Sequence, residues 1–95
     1  MSIGLLTLHL HLPGCTSLKE KRSRLKPLLA RLHREFNISA AEVDYLESWS
    51  DALVACAVVS NSAPHNQQLL QQVVDWIERN WPDVDVVFDQ MEMIG

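Results

Sequence analysis

Glycine is scarce in this chain and never clustered: Gly4, Gly14 and Gly95 stand alone. A loop that cradles phosphate needs several glycines within a few residues, so nucleotide binding of that kind has no support. Cysteine is almost as rare. Cys15 and Cys56 fall in different predicted elements, and neither a Cys-X-X-Cys nor a His-Glu-X-X-His spacing occurs. A reduced pair is expected, with no structural metal. Long apolar runs are missing too, so no bilayer-spanning segment is expected. The apolar start, Ile3 to Leu12, has no basic leader and runs into Pro13-Gly14, so it reads as a strand and not a secretory leader. The expected location is cytoplasmic. Aromatic residues make up only 6% of the chain, and none interleaves with the positive charges. That speaks against stacking-based recognition of single strands. Basic residues number 8 against 12 acidic ones, for a net charge of −4, so the whole chain is no general polyanion binder.

What the chain does have is positive charge in one place. Residues 17–36 hold seven of the eight Lys and Arg residues. Against Glu20 and Glu35 they give this stretch a net +5, leaving −9 for the rest. Leu18, Leu25, Leu29, Leu32 and Phe36 recur at spacings of three, four or seven, which predicts an amphipathic helix with one buried face. Ser17 is its expected N-cap and Glu20 the capping-box partner. Pro27 lies inside it and removes one backbone hydrogen bond, so a kink or weakened turn near Ser23 is expected, within a single helix ending near Phe36-Asn37.

The remaining elements follow from alternation. Residues 3–12 form a strand, with Leu6, Leu8, Leu10 and Leu12 on one face and Ile3, Leu5, Thr7, His9 and His11 on the other. Residues 38–46 form a weaker strand, and Ser48 to Asp51 a turn with Trp49 near its tip. Residues 52–60 are apolar on both faces and predict a central strand. Asn61 or Ser62 caps a second helix with Pro64 in its first turn, where proline is tolerated. Its stripe is Leu69, Leu70, Val73, Val74 and Ile77, with Trp76 at the margin. Residues 84–91 form a last strand, with Val84, Val86 and Phe88 sharing a face. Strand, helix, strand, strand, helix, strand is the ferredoxin-like βαββαβ plan of the α+β class. A single domain over residues 1–95 follows, an antiparallel four-stranded sheet with two helices on one face and the other face open.

The blocks LTLHLHLPGCTSLKEKR, FNISAAEV and VVSN resemble the YlxP-like family of small uncharacterised bacterial proteins, nearly end to end. The most specific part is Leu12 to Arg22. The resemblance implies the same fold and carries over the block Ser17, Leu18, Lys19, Glu20, Lys21 and Arg22. Genes of such families commonly lie among translation and ribosome-maturation genes, which implies by association a role near RNA or the ribosomal subunit. No catalytic residue comes with it.

Two surfaces are therefore candidates. The first is the basic helix, with Lys19, Lys21, Arg22, Arg24, Lys26 and Arg31 as contacts to RNA phosphate. On a helical wheel Lys19, Arg22 and Lys26 share one flank, Arg24 and Arg31 the other, and Arg34 points away. The bland alternative is a solvated face paired with the chain's own acids. The second is the open sheet face, with Leu5, Thr7, His9, His11 and Trp49 as the interface of a homo-oligomer, because a large, partly apolar face rarely stays bare. His9 and His11 share a face and make half a metal site, but no third ligand is indicated, so no cofactor is expected. Cys15 sits before a helix N-terminus without an evident base, so a nucleophile is not supported. A non-enzymatic accessory factor, RNA- or ribosome-associated or else purely a protein-interaction module, is the expectation.

Overall fold

A computed structural model describes all residues from Met1 to Gly95. The elements run β1 (Ser2–His11), α1 (Leu18–Phe36), β2 (Ser39–Asp44), β3 (Asp51–Ser60), α2 (Ala63–Asn80) and β4 (Asp85–Ile94). The strands form one antiparallel sheet in the order β2-β3-β1-β4. The ferredoxin-like α+β plan holds, and β3 lies inside the sheet as its two apolar faces require.

One face of β1 makes the core. Leu6, Leu8, Leu10 and Leu12 are fully buried, together with Ala52, Val54 and Cys56 of β3. Leu25, Leu28 and Leu32 of α1 and Leu70, Val73, Val74 and Ile77 of α2 close over them. Each buried leucine, isoleucine or valine among them contributes roughly 1.5–3 kcal/mol by leaving water. Burial pushes the Cys56 thiol up to about 12, so it is inert. Cys15 and Cys56 are both free thiols. Gly4 is what lets α2 settle this low. A Cβ there would come within 3.0 Å of Leu70 Cδ1 and 3.1 Å of Asn66 Cβ. Asn66 is itself buried, accepting from Ser60 Oγ at 2.7 Å and donating to the Ser2 carbonyl at 3.3 Å. The start of α2 is thereby fastened to β1 and β3.

Helix ends follow their caps. Ser17 Oγ accepts from the Glu20 N–H at 3.1 Å, and Ser62 Oγ from the His65 N–H at 3.3 Å. Glu20 reaches one residue beyond the expected capping box, accepting from the Thr16 N–H at 2.6 Å. That hydrogen bond, joined by one from Cys15, holds its carboxyl below the ordinary range. Asn37 ends α1 in the left-handed conformation, φ 52°, with its N–H on the His33 carbonyl at 3.0 Å. Pro27 does not divide the helix: α1 is one element, and Pro27 and Ser23 both lie on its solvent side, where water can meet the Ser23 carbonyl that proline leaves without a partner.

Two strand details differ from the alternation read in the sequence. β4 extends to Ile94, and its ladder with β1 slips at Val87: His9 faces Phe88 whereas Leu10 faces Val86. One extra residue inverts the faces beyond it. Phe88 therefore lies on the open face beside His9, opposite to the side it would share with Val84 and Val86. A similar slip at Val43 leaves Glu42, opposite Val54, on the helix side with Ala40, and turns Asp44, opposite Leu53, to the open side.

Candidate functional site

The seven cations of α1 divide into two sets. Lys21 is only 1% exposed. It occupies the same helical stripe as Leu25, Leu28 and Leu32, so its ammonium is carried under the sheet edge. There it donates to the Tyr45 carbonyl at 2.7 Å and meets Glu42 Oε2 at 2.7 Å. The Glu42 oxygen lies off the hydrogen-bonding angle, so this contact is one of charge rather than a well-formed hydrogen bond. Tyr45 is left-handed, φ 59°, an uncommon conformation for a residue with a bulky side chain. Lys21 thus clamps the strained start of the β2–β3 turn, and burial removes it from the residues available to phosphate.

Arg24 and Arg31, on the flank turned to α2, are also engaged. The Arg24 guanidinium donates to Asp83 Oδ2 at 2.9 Å, the Asp83 carbonyl at 2.6 Å and the Pro13 carbonyl at 2.9 Å. The hydrogen bond to Asp83 raises its affinity for its proton still further. Arg31 lies 5.4 Å from the Trp76 ring centroid and donates to Glu35 Oε1 at 3.2 Å. Trp76 in turn meets Phe36 edge-on and stacks on Trp81, each at 6.0 Å between centroids. These three cations fasten α1 to the β2–β3 turn, to α2 and to the segment before β4. Lys19, Arg22, Lys26 and Arg34 are all exposed, and none lies within 4.0 Å of a carboxylate. At 100° per residue they share one outward ridge about 22 Å long, opposite the buried stripe.

The open face has a different character. The register places Ile3 between Val59 and Ile94, Leu5 between Ala57 and Glu92, Thr7 between Ala55 and Gln90, and His9 between Leu53 and Phe88. β2 adds Ser39 and Ala41 beside the same alanines. The alanines make a shallow floor, and larger residues stand at both ends. Val59 is 65% exposed and Phe88 54%, with Ile94 close behind. No helix covers this side. Leu5, Thr7, His9 and His11 are brought together here as expected, whereas Trp49 stands exposed in the β2–β3 turn.

At one end of the face, Asp51 gathers both histidines. His9 Nε2 donates to Asp51 Oδ1 at 2.8 Å, and His11 Nδ1 lies 3.5 Å from the same oxygen. Ser50 Oγ donates to Asp51 Oδ2 at 2.8 Å. The His9 bond first, then that of Ser50, holds the Asp51 carboxyl below its ordinary 3.8. The Tyr45 ring packs tilted against His9, 5.3 Å between centroids. Cys15 and His65 lie apart from this group, and no three His, Cys, Asp or Glu side chains converge on a metal position. Asp51 and Phe88 were not legible as members of the face. Asp51 depends on hairpin register and Phe88 on the bulge, and neither leaves a mark in the residue order.

A family model described as "Protein of unknown function (DUF503)" matches residues 3–90. The chain belongs to that family. The uncharacterized protein YlxP of Bacillus subtilis (strain 168) is 34% identical over 76 residues, which cover 80% of this chain and 82% of that protein. The resemblance carried by Leu12 to Arg22 thus extends over most of the length. No helix of this DUF503 chain is long and apolar enough to cross a membrane.

Proposed function

We propose that this protein is a non-enzymatic interaction module that assembles by burying its open sheet face against a second copy. The observation that carries the reading is the uncovered apolar row on β1, β3 and β4, to which the Val87 bulge adds Phe88. A contiguous exposed patch of this kind usually marks a contact surface. Sedimentation tests it. Leu5→Asp or His9→Asp, each placing an unpaired acid on the face, is expected to lower the assembled mass; an unchanged mass argues against the contact.

A second reading rests on the ridge of Lys19, Arg22, Lys26 and Arg34. Four exposed cations without carboxylate partners are suited to phosphate, and the chain's acids do not neutralise them locally. This supports RNA or ribosomal-subunit association by four contacts, with Lys21, Arg24 and Arg31 acting inside the fold. Association of that kind falls steeply with salt and with Lys19→Glu or Arg22→Glu. Unchanged RNA retention by both charge reversals at low salt would refute it.

A further inference from the structure

The outer edge of β4 is unpaired, because the sheet ends there. Alternate backbone N–H and C=O groups along such an edge point outward without partners. The other edge, β2, is only six residues long and is broken at Val43. β4 is ten residues long, contains neither proline nor lysine, and is regular from Phe88 to Ile94. We infer that this edge is a self-association surface separate from the open face, on which β4 of a second copy pairs antiparallel about a two-fold axis through Met91.

The register follows from which residues would face one another. In a continuous antiparallel sheet, opposed residues share a face, so a two-fold axis perpendicular to the sheet passes through one residue position and its copy. An axis at Asp89 sets two aspartates against each other, and one at Glu92 sets two glutamates; like charges directly opposed are unfavourable. An axis at Gln90 sets the bulged Val87 against Met93 and Ile94 against Val86, which the bulge has turned to the helix side, so those opposed residues no longer share a face. An axis at Met91 uses the whole regular segment. Phe88 then faces Ile94 on the open side, an aromatic and a β-branched residue in cross-strand contact. Gln90 faces Glu92, amide to carboxylate, and Asp89 faces Met93. No acid meets an acid.

The surroundings of Met91 agree with this. A groove of about 500 Å³ lies between α2 and β4, with Met91 in its lining beside Gln67, Gln68, Gln71 and Gln72. Its one charge, Asp75, accepts from Gln71 Nε2 at 3.2 Å. The axis would bring two such walls side by side, each carrying glutamine amides and no cation. Amide meets amide there without repulsion. The inference goes beyond the open-face reading, since edge pairing leaves that face bare and extends it across both copies.

Cysteine cross-linking in a Cys15→Ser background tests the register, with Cys56 buried out of reach. Opposed Cα atoms on an antiparallel pair lie within disulfide range, whereas positions displaced by two residues lie beyond it. Met91→Cys is expected to give covalent dimer under mild oxidation, several-fold more than Gln90→Cys or Glu92→Cys alone. A mixture of Gln90→Cys and Glu92→Cys chains should cross-link to each other, reading the same register with Met91 intact. Equal, low yields from all of these overturn the inference. Adding Leu5→Asp to Met91→Cys separates the two surfaces: a retained cross-link supports an independent edge, and a lost one overturns it. Loss of mass in Leu5→Asp with the cross-link retained would show both surfaces at work.

Discussion

β1 puts the same kind of side chain into two environments. Leu8 is fully buried beneath the helices, and Leu5, three residues earlier on the other face, is only partly buried, with no layer above it. Neighbours on the two sides differ in the same way. The covered side is filled by leucine and valine from two helices. The open side has an alanine floor, a histidine pair held by Asp51, and Phe88 displaced onto it by a bulge. What the chain closes for itself supplies stability, and what it leaves open is where a partner can act.

Truncation should show the largest difference between the faces. Leu8→Ala is expected to cost about 2–5 kcal/mol in denaturant unfolding, because the cavity has little room to collapse. Leu5→Ala should cost under about 1 kcal/mol at low protein concentration, with the loss growing as concentration rises and the face is buried by association. Equal costs at every concentration would erase the distinction.

The two sets of α1 cations give a smaller contrast. Lys21→Met removes the ammonium that holds the Tyr45 carbonyl and Glu42, and should cost about 1–3 kcal/mol, with faster hydrogen exchange in the β2–β3 turn. Lys19→Met, on the exposed ridge, should stay within about 0.5 kcal/mol. A neutral Lys21→Met would mean that the turn stands without its clamp.

The smallest effect is one of pH at the end of the open face. The Asp51 carboxyl is held below its ordinary 3.8 by His9, Ser50 and His11. As pH falls, the unfolded chain takes up this proton before the folded one does. The stabilisation is therefore complete above that value and is lost as pH drops through it and below. Asp51→Asn should weaken the protein at neutral pH and flatten its acid limb in thermal unfolding. An acid limb identical to that of the parent chain would show that Asp51 contributes nothing there.

Periodicity made most of the fold legible. The alternation of Leu6 to Leu12, the stripe of α2, Ser17, Ser62 and Pro64 each pointed to the element observed, because local chemistry and burial agree there. The bulges at Val43 and Val87 were not legible, since one inserted residue leaves an apolar run looking unbroken. Phe88 was consequently placed on the wrong side. Lys21 was read as a surface charge by residue type, although its position four, seven and eleven residues before Leu25, Leu28 and Leu32 put it on the buried stripe. Spacing carried the answer that charge obscured. Arg24 found a partner that only tertiary packing brings near, Asp83 being 59 residues away in the chain, and Arg31 adds the distant Trp76 to its local partner Glu35.

Sedimentation of the parent chain beside Leu5→Asp, across a range of concentrations, asks most directly whether the bare face is a contact. A multimer in the parent chain, reduced in mass by the single acid while circular dichroism stays unchanged, is the expected result. Identical masses for both chains, folded and at every concentration, would contradict the assignment of that face to assembly.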